Sequence, residues 1–127
     1  MKILICGSRE DFDLDIAKQR LEEFIKKHME DSFIHGGARG IDLMADNILK
    51  SMSLPVKVYL SDYQSYGIKA PLVRDRQMVT DCDMVVAFWN FKSHGTKFTI
   101  DYAKGRLIPV EIFDIRSFKG PSRRIGT

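Results

Sequence analysis

The sequence predicts a single Rossmann-like α/β domain, a five-stranded parallel sheet with helices on both faces. Three observations carry this. Short apolar runs of strand length alternate along the chain with amphipathic stretches of helical period. The strand runs are almost continuously apolar, as in a parallel sheet buried on both sides. The 127 residues suffice for one core and are too few for two ordinary domains.

The elements follow in order. Ile3 to Cys6 is the first strand. Leu14, Ala17, Leu21, Phe24 and Ile25 then form one helical stripe, with Asp11 and Asp13 ahead of it as capping residues. Phe33 to His35 is the second strand. Ile41, Met44, Ala45, Ile48, Leu49 and Met52 recur at i, i+3, i+4, i+7, i+8 and i+11, the clearest helical face in the chain. Val56 to Leu60 is the third strand. Pro71 opens a third helix that runs to about Thr80, since proline suits a first turn. Met84 to Phe88 is the fourth strand, and a fourth helix runs from near Thr96 to Gly105, a C-terminal glycine. Ile108 to Phe113 closes the sheet. Residues 1–115 form the domain; 116–127, with Arg116, Lys119, Arg123 and Arg124 and no acidic residue, read as a basic tail.

Composition narrows the function classes. Hydrophobic residues at 44% and charged residues at 29% describe a folded globular chain. A net charge of +3 does not by itself argue for nucleic acid. No apolar run reaches the ~18 residues of a membrane span, and the run after Met1-Lys2 is too short for a signal peptide. No membrane partner is therefore expected, and the cytoplasm is the expected compartment. Cys6 and Cys82, without a CxxC or Cys/His cluster, argue against a disulfide scaffold and a zinc site. No metal and no cofactor are expected.

The loops after the strands carry the chemistry, because open parallel sheets bind ligands at the carboxyl ends of their strands. The first strand ends in Gly7-Ser8-Arg9. The second runs through Gly36-Gly37-Ala38-Arg39-Gly40 into a helix bearing Asp42. The fourth ends at Trp89 and reaches Gly95-Thr96 at another helix start. Free N–H groups and the helix dipole attract an anion there, and glycine lets a phosphate approach the backbone. No Gly-Lys-Ser/Thr follows, so this is not a Walker loop. Asp62, about 20 residues beyond the glycines, stands where a ribose-binding acid could fall. Arg74 and Arg76 lie in the third helix, and one guanidinium could fork onto a phosphate, with Asp75 and Asp81 as the ordinary surface partners. Trp89 could stack on a base or be buried. His35 and His94 lack an orienting carboxylate in view and read as structural.

These residues resemble the Rossmann-like SMF/DprA–LOG superfamily, and within it the small phage and bacterial members described as nucleotide-derivative-binding proteins. The resemblance runs from Gly7 to about Phe113. It rests on Gly7-Ser8-Arg9, on Gly36 to Asp42 with Ala45, on Lys69-Ala70-Pro71 through Arg74 and Met78, and on Asp83 to Trp89 followed by Gly95-Thr96. It implies Rossmann strand order, the first, second and fourth strand loops converging on one pocket, homo-oligomers, and Arg74 as the phosphate-binding arginine. LOG-type enzymes cut the N-glycosidic bond of nucleoside monophosphates with a glutamate. Thr99 stands at that position here, so catalysis is uncertain and Asp42 is the candidate substitute acid, with Asp101 turned away. The leading expectation is a protein that binds a nucleotide or nucleotide derivative, a candidate sensor or sequestering module in phage–host conflict. A nucleotide N-glycosidase is the alternative. Single-stranded nucleic-acid binding is suggested only by the kinship and the basic tail, and nucleic acid is not expected as a partner.

Overall fold

In the computed structural model the description covers residues 1–117, so the tail expected at 116–127 lies almost wholly outside the described residues. Five parallel strands form one sheet in the order β3-β2-β1-β4-β5. They are β1 (Lys2–Gly7), β2 (Ser32–His35), β3 (Val56–Val58), β4 (Met84–Trp89) and β5 (Val110–Asp114). This is the Rossmann order, and its direction reverses between β1 and β4, where such folds bind ligands.

The alternation along the strands decides which helix packs where. In β1, Ile3 and Ile5 face one layer while Leu4 and Cys6 face the other. The first layer is closed by α1 (Leu14–Lys26) and α2 (Ile41–Ser51) through Ala17, Leu21, Phe24, Ala45 and Leu49. The second is closed by α4 (Ala70–Asp81) and α5 (His94–Gly105) through Met78, Val79, Ile100 and Ala103. Asp13 caps α1 by accepting from the Ile16 N–H at 3.0 Å, as its position in the sequence suggests. Leu14 departs from the stripe and is exposed.

Three boundaries differ from the sequence expectation. β3 stops at Val58, because only Phe33, Ile34 and His35 of β2 are there to pair with it. β5 starts at Val110, after Pro109, which has no N–H to give the ladder and takes part only through its carbonyl, accepting from the Val85 N–H at 2.9 Å. The segment expected as a loop before α4 holds a one-turn helix α3 (Tyr63–Tyr66) and a 3₁₀ turn (Gly67–Lys69). Asp62 makes the first of these by accepting from the Ser65 N–H at 3.1 Å, so it serves as a cap on an exposed turn.

Candidate functional site

The loops after β1, β2 and β4 meet at the switch point, held together by hydrogen bonds inside the protein. Ser8 is fully buried and is the central tie. Its N–H donates to Phe88 O (3.0 Å), its carbonyl accepts from the Ile41 N–H (3.1 Å), and its Oγ accepts from the Asn90 N–H (2.9 Å). Asn90 completes the tie. Its Nδ2 donates to the carbonyls of Glu10 (2.9 Å) and Asp11 (3.2 Å), while its Oδ1 accepts from the N–H groups of Lys92 and Ser93. Gly40 connects the β2 loop to this tie with φ +79°, a backbone conformation open to glycine. A Cβ there would lie 2.6 Å from Arg9 Cα. Gly7 is equally crowded: a Cβ would lie 2.6 Å from the Ile41 side chain. These positions are glycine because loops pack on loops, whatever binds nearby.

The β2 loop is already filled by the protein's own groups. Asp42 Oδ2 accepts from the N–H of Gly36 and of Ala38, both at 3.1 Å, and the Gly37 N–H donates to His35 Nδ1 at 2.9 Å. Since Nδ1 accepts, the ring proton sits on Nε2, which donates to Asp46 Oδ1 at 2.8 Å. His35 therefore has an orienting carboxylate, and its role is to brace the loop. The nest that an external phosphate would use on β2 holds the Asp42 carboxylate instead. Burial pushes the Asp42 carboxyl up from its ordinary range, and the two loop N–H bonds with the nearby His35 and Arg74 only partly oppose that.

The start of α5 is different. Ser93 occupies the cap position but makes no side-chain capping bond, and its Oγ pairs with Thr96 Oγ1 at 3.2 Å. The first-turn N–H groups of α5 are left open. They border a narrow cleft of about 50 Å³, reached by Gly7, Arg9, Ala38, Asp42, Gly95 and Thr96. Arg74, Asp75 and Thr99 form its floor. Arg9 is exposed at the rim and has no hydrogen bond or ion pair among the described residues, whereas its neighbours Arg39 and Lys92 pair with Glu10 and Asp11.

Arg74 is 8% exposed and belongs to the scaffold as much as to the cleft. Its Nη1 donates to Gly36 O at 2.5 Å and its Nε to Asp75 Oδ1 at 2.9 Å. Arg76 lies outside on α4, exposed, over the Phe98 ring at 5.6 Å. The sequence predicts Asp75 to be a surface partner of the arginines. It is instead buried at 8% exposure in the cleft floor, beside the Thr99 hydroxyl. Burial raises its carboxyl, with Arg74 pulling the other way. Thr99 Oγ1 also donates to Gly95 O at 3.2 Å, binding the α5 start to its second turn. Asp101 points outward in an ion pair with Lys97 (2.7 Å).

Of the residues singled out in the sequence, Gly7, Arg9, Ala38, Asp42, Arg74, Gly95 and Thr96 converge on the cleft. Gly36, Gly37 and Arg39 line an adjoining groove. Ser8 and Gly40 stand behind the wall as ties. Trp89 does not reach the cleft: its Nε1 donates to Ser93 O at 3.0 Å and its ring stacks on Phe91 at 4.6 Å, clamping the β4–α5 loop. Asp75, Asn90 and Ser93 are the participants the sequence reading missed. Asp75 and Arg74 occupy the inward register of α4 with Ala70, Met78 and Val79, so two charged residues in an otherwise apolar face were the available signal. Cys6 and Cys82 are both buried free thiols, and no group of three or more potential metal ligands occurs among the described residues. No helix of the described residues is long and apolar enough to cross a membrane.

Comparison with known proteins places the fold and the kinship. No family model matches the chain. DNA processing protein A from Helicobacter pylori, described for its single-stranded DNA binding mode, has the same fold at TM-score 0.67 and 18% identity, over 98% of this chain and 70% of that one. HepE of Anabaena, solved with UDP and glucose, matches at TM-score 0.55 and 17% identity, and this chain spans 32% of it. The first neighbour corrects one expectation. A protein described by its binding to single-stranded DNA carries this fold over nearly the whole chain, so nucleic acid is not to be set aside as a partner on the ground of modest charge. In sequence the chain is similar to a phage protein. With 30% identity over 116 residues, 86% of this chain and 93% of that protein, the chain belongs to the family of the Gene 61 protein of Mycobacterium phage D29.

Proposed function

We propose that this protein binds a phosphate-bearing nucleotide or nucleotide derivative in the cleft at the β1–β4 switch point, as a phage-related member of the SMF/DprA–LOG superfamily. The observation that carries the reading is the pairing of an uncapped helix start at Gly95-Thr96 with the unpaired guanidinium of Arg9 over the same small cleft. A volume of about 50 Å³ suits a phosphate group or a few waters and is too small for a nucleoside. Arg9 would supply a charge-assisted hydrogen bond and the α5 N–H groups the remaining donors. Arg74 would hold the β2 loop in place, its contacts being spent on Gly36 and Asp75.

Isothermal titration of the protein with AMP, GMP, CMP and UMP, and with adenosine as the phosphate-free control, tests the reading. Monophosphates should bind and adenosine should not. Arg9→Ala, an exposed change, should cost ~1.5–3 kcal/mol, about ten- to a hundredfold in affinity. Equal binding of AMP and adenosine, or no effect of Arg9→Ala, overturns it.

A second reading is single-stranded nucleic acid in place of a free nucleotide, with its backbone phosphate at Arg9. It is favoured by the neighbour named for that ligand and by Arg9 bordering three adjoining depressions. Fluorescence anisotropy with a labelled oligodeoxythymidylate separates the two: tight, salt-sensitive binding of the oligomer with weak binding of its mononucleotide supports the second.

A further inference from the structure

The small cleft leaves open where the rest of a nucleotide would go, and the molecule offers two flanks. Toward β4 lies a depression of about 300 Å³ lined by Arg9, Glu10, Asp11, Asn90, Lys92 and Ser93, across which Lys92 pairs with Asp11. Toward β3 lies a groove of about 470 Å³ that adjoins the cleft, sharing Arg9, Ala38 and Arg74 with it. Its walls are the backbone of Gly36 and Gly37 on one side and Leu60, Ser61 and Tyr63 on the other. Leu60 is 74% exposed and Tyr63 62%. Among the described residues the Tyr63 side chain makes no hydrogen bond and no ring contact, its backbone carbonyl alone accepting from the Gly67 N–H. A large apolar side chain and an aromatic ring thus stand uncovered at the mouth of a groove edged by arginines.

We infer that this groove between the β2 loop and the α3 turn is the nucleobase subsite, with the base stacked on Tyr63 and packed against Leu60. The inference rests on the nucleotide reading above and names its base-binding half. Three features argue for a base over other occupants. The groove holds no carboxylate, so a cation is not drawn to it. A flat aromatic face beside guanidinium groups fits a π-ring tethered to a phosphate. On the glycine wall the N–H groups of Gly36 and Gly37 and the Gly36 carbonyl are taken within the protein, which leaves the Gly37 carbonyl as the acceptor for a base edge. The β4 flank, crossed by the Lys92–Asp11 ion pair and without an aromatic, offers none of these.

The test compares AMP with ribose 5-phosphate, which keeps the phosphate and sugar and lacks the base. Both are titrated calorimetrically into the parent protein, Tyr63→Ala and Tyr63→Phe. Stacking predicts that AMP binds the parent at least about tenfold more tightly than ribose 5-phosphate. Tyr63→Ala should abolish that difference and leave the affinity for ribose 5-phosphate unchanged, while Tyr63→Phe should retain it. The residue is exposed, so neither change threatens the fold. A preference for AMP that survives Tyr63→Ala, or no preference in the parent, overturns the base subsite and leaves the phosphate cleft standing. Binding of neither compound overturns both.

Discussion

Gly40→Ala tests the claim that the glycines serve loop packing before ligand binding. Gly40 has φ +79° and ψ −125°, outside even the small left-handed region that other residues visit. Placing a side chain in such a conformation costs ~1–3 kcal/mol. The added methyl would also lie 2.6 Å from Arg9 Cα and 2.7 Å from Arg9 O, well inside ordinary contact. Both are backbone atoms, and the adjacent Ser8 is fixed by bonds to Phe88, Ile41 and Asn90, so the β1 loop cannot swing away. Overpacking of this kind adds ~1–3 kcal/mol, giving a loss of about 2–6 kcal/mol in total. That is a large part of the ~5–15 kcal/mol that holds a domain together. Urea unfolding followed by circular dichroism should show a midpoint far below that of the parent. Gly95→Ala is the control. Nothing lies within 4 Å of a Cβ there and the residue is helical, so stability should hold or rise by up to ~1 kcal/mol. A Gly40→Ala variant within about 0.5 kcal/mol of the parent, the usual range for neutral surface changes, would refute the packing argument.

Other consequences can be measured on the same footing. Asn90→Ala removes four side-chain hydrogen bonds, two joining the β1 and β4 loops and two within the β4 loop, and should cost about 2–4 kcal/mol in a denaturant titration. Asn90→Asp should not rescue it, because a carboxylate oxygen would face the Glu10 and Asp11 carbonyls. Asp42→Asn keeps an oxygen for the Gly36 and Ala38 N–H groups and removes a buried charge. Because the folded carboxyl is raised, the native state holds its proton longer than the unfolded chain. The parent therefore loses stability as pH rises from the ordinary aspartate range through the raised value, and the variant lacks that loss. The difference in unfolding midpoint should move in favour of Asp42→Asn between pH 4 and pH 7; movement the other way would mean the charge is stabilised in place. Both thiols are buried and shifted up by that burial, Cys82 to about 11, so a thiol reagent at pH 8 should react slowly with native protein and find two groups after unfolding.

The fold was legible because its signals are local. Apolar runs marked all five strands, and the stripes in α1 and α2 marked the helices that cover one face. Strand order follows from long-range pairing and entered only through resemblance. The missed α3 turn depends on Asp62, which looked like a ribose ligand when the alternative use of its carboxylate, on the Ser65 N–H, could not be weighed. The same difficulty runs through the site. A glycine-rich loop at a helix start reads as a ready anion cradle, yet here the anion is the protein's own Asp42. A sequence displays donors and acceptors without saying which are already matched. Arg74 makes the point from the other side: resemblance marks it as a phosphate ligand, while Gly36 and Asp75 already take two of its nitrogens. Arg9 was one name among thirteen in the sequence. It becomes the sharpest candidate once Arg39 and Lys92 are seen to be paired and Arg9 is not. What binds at this switch point is therefore to be sought among the groups the fold leaves unmatched, which among the described residues include Arg9, the first turn of α5 and the Tyr63 ring.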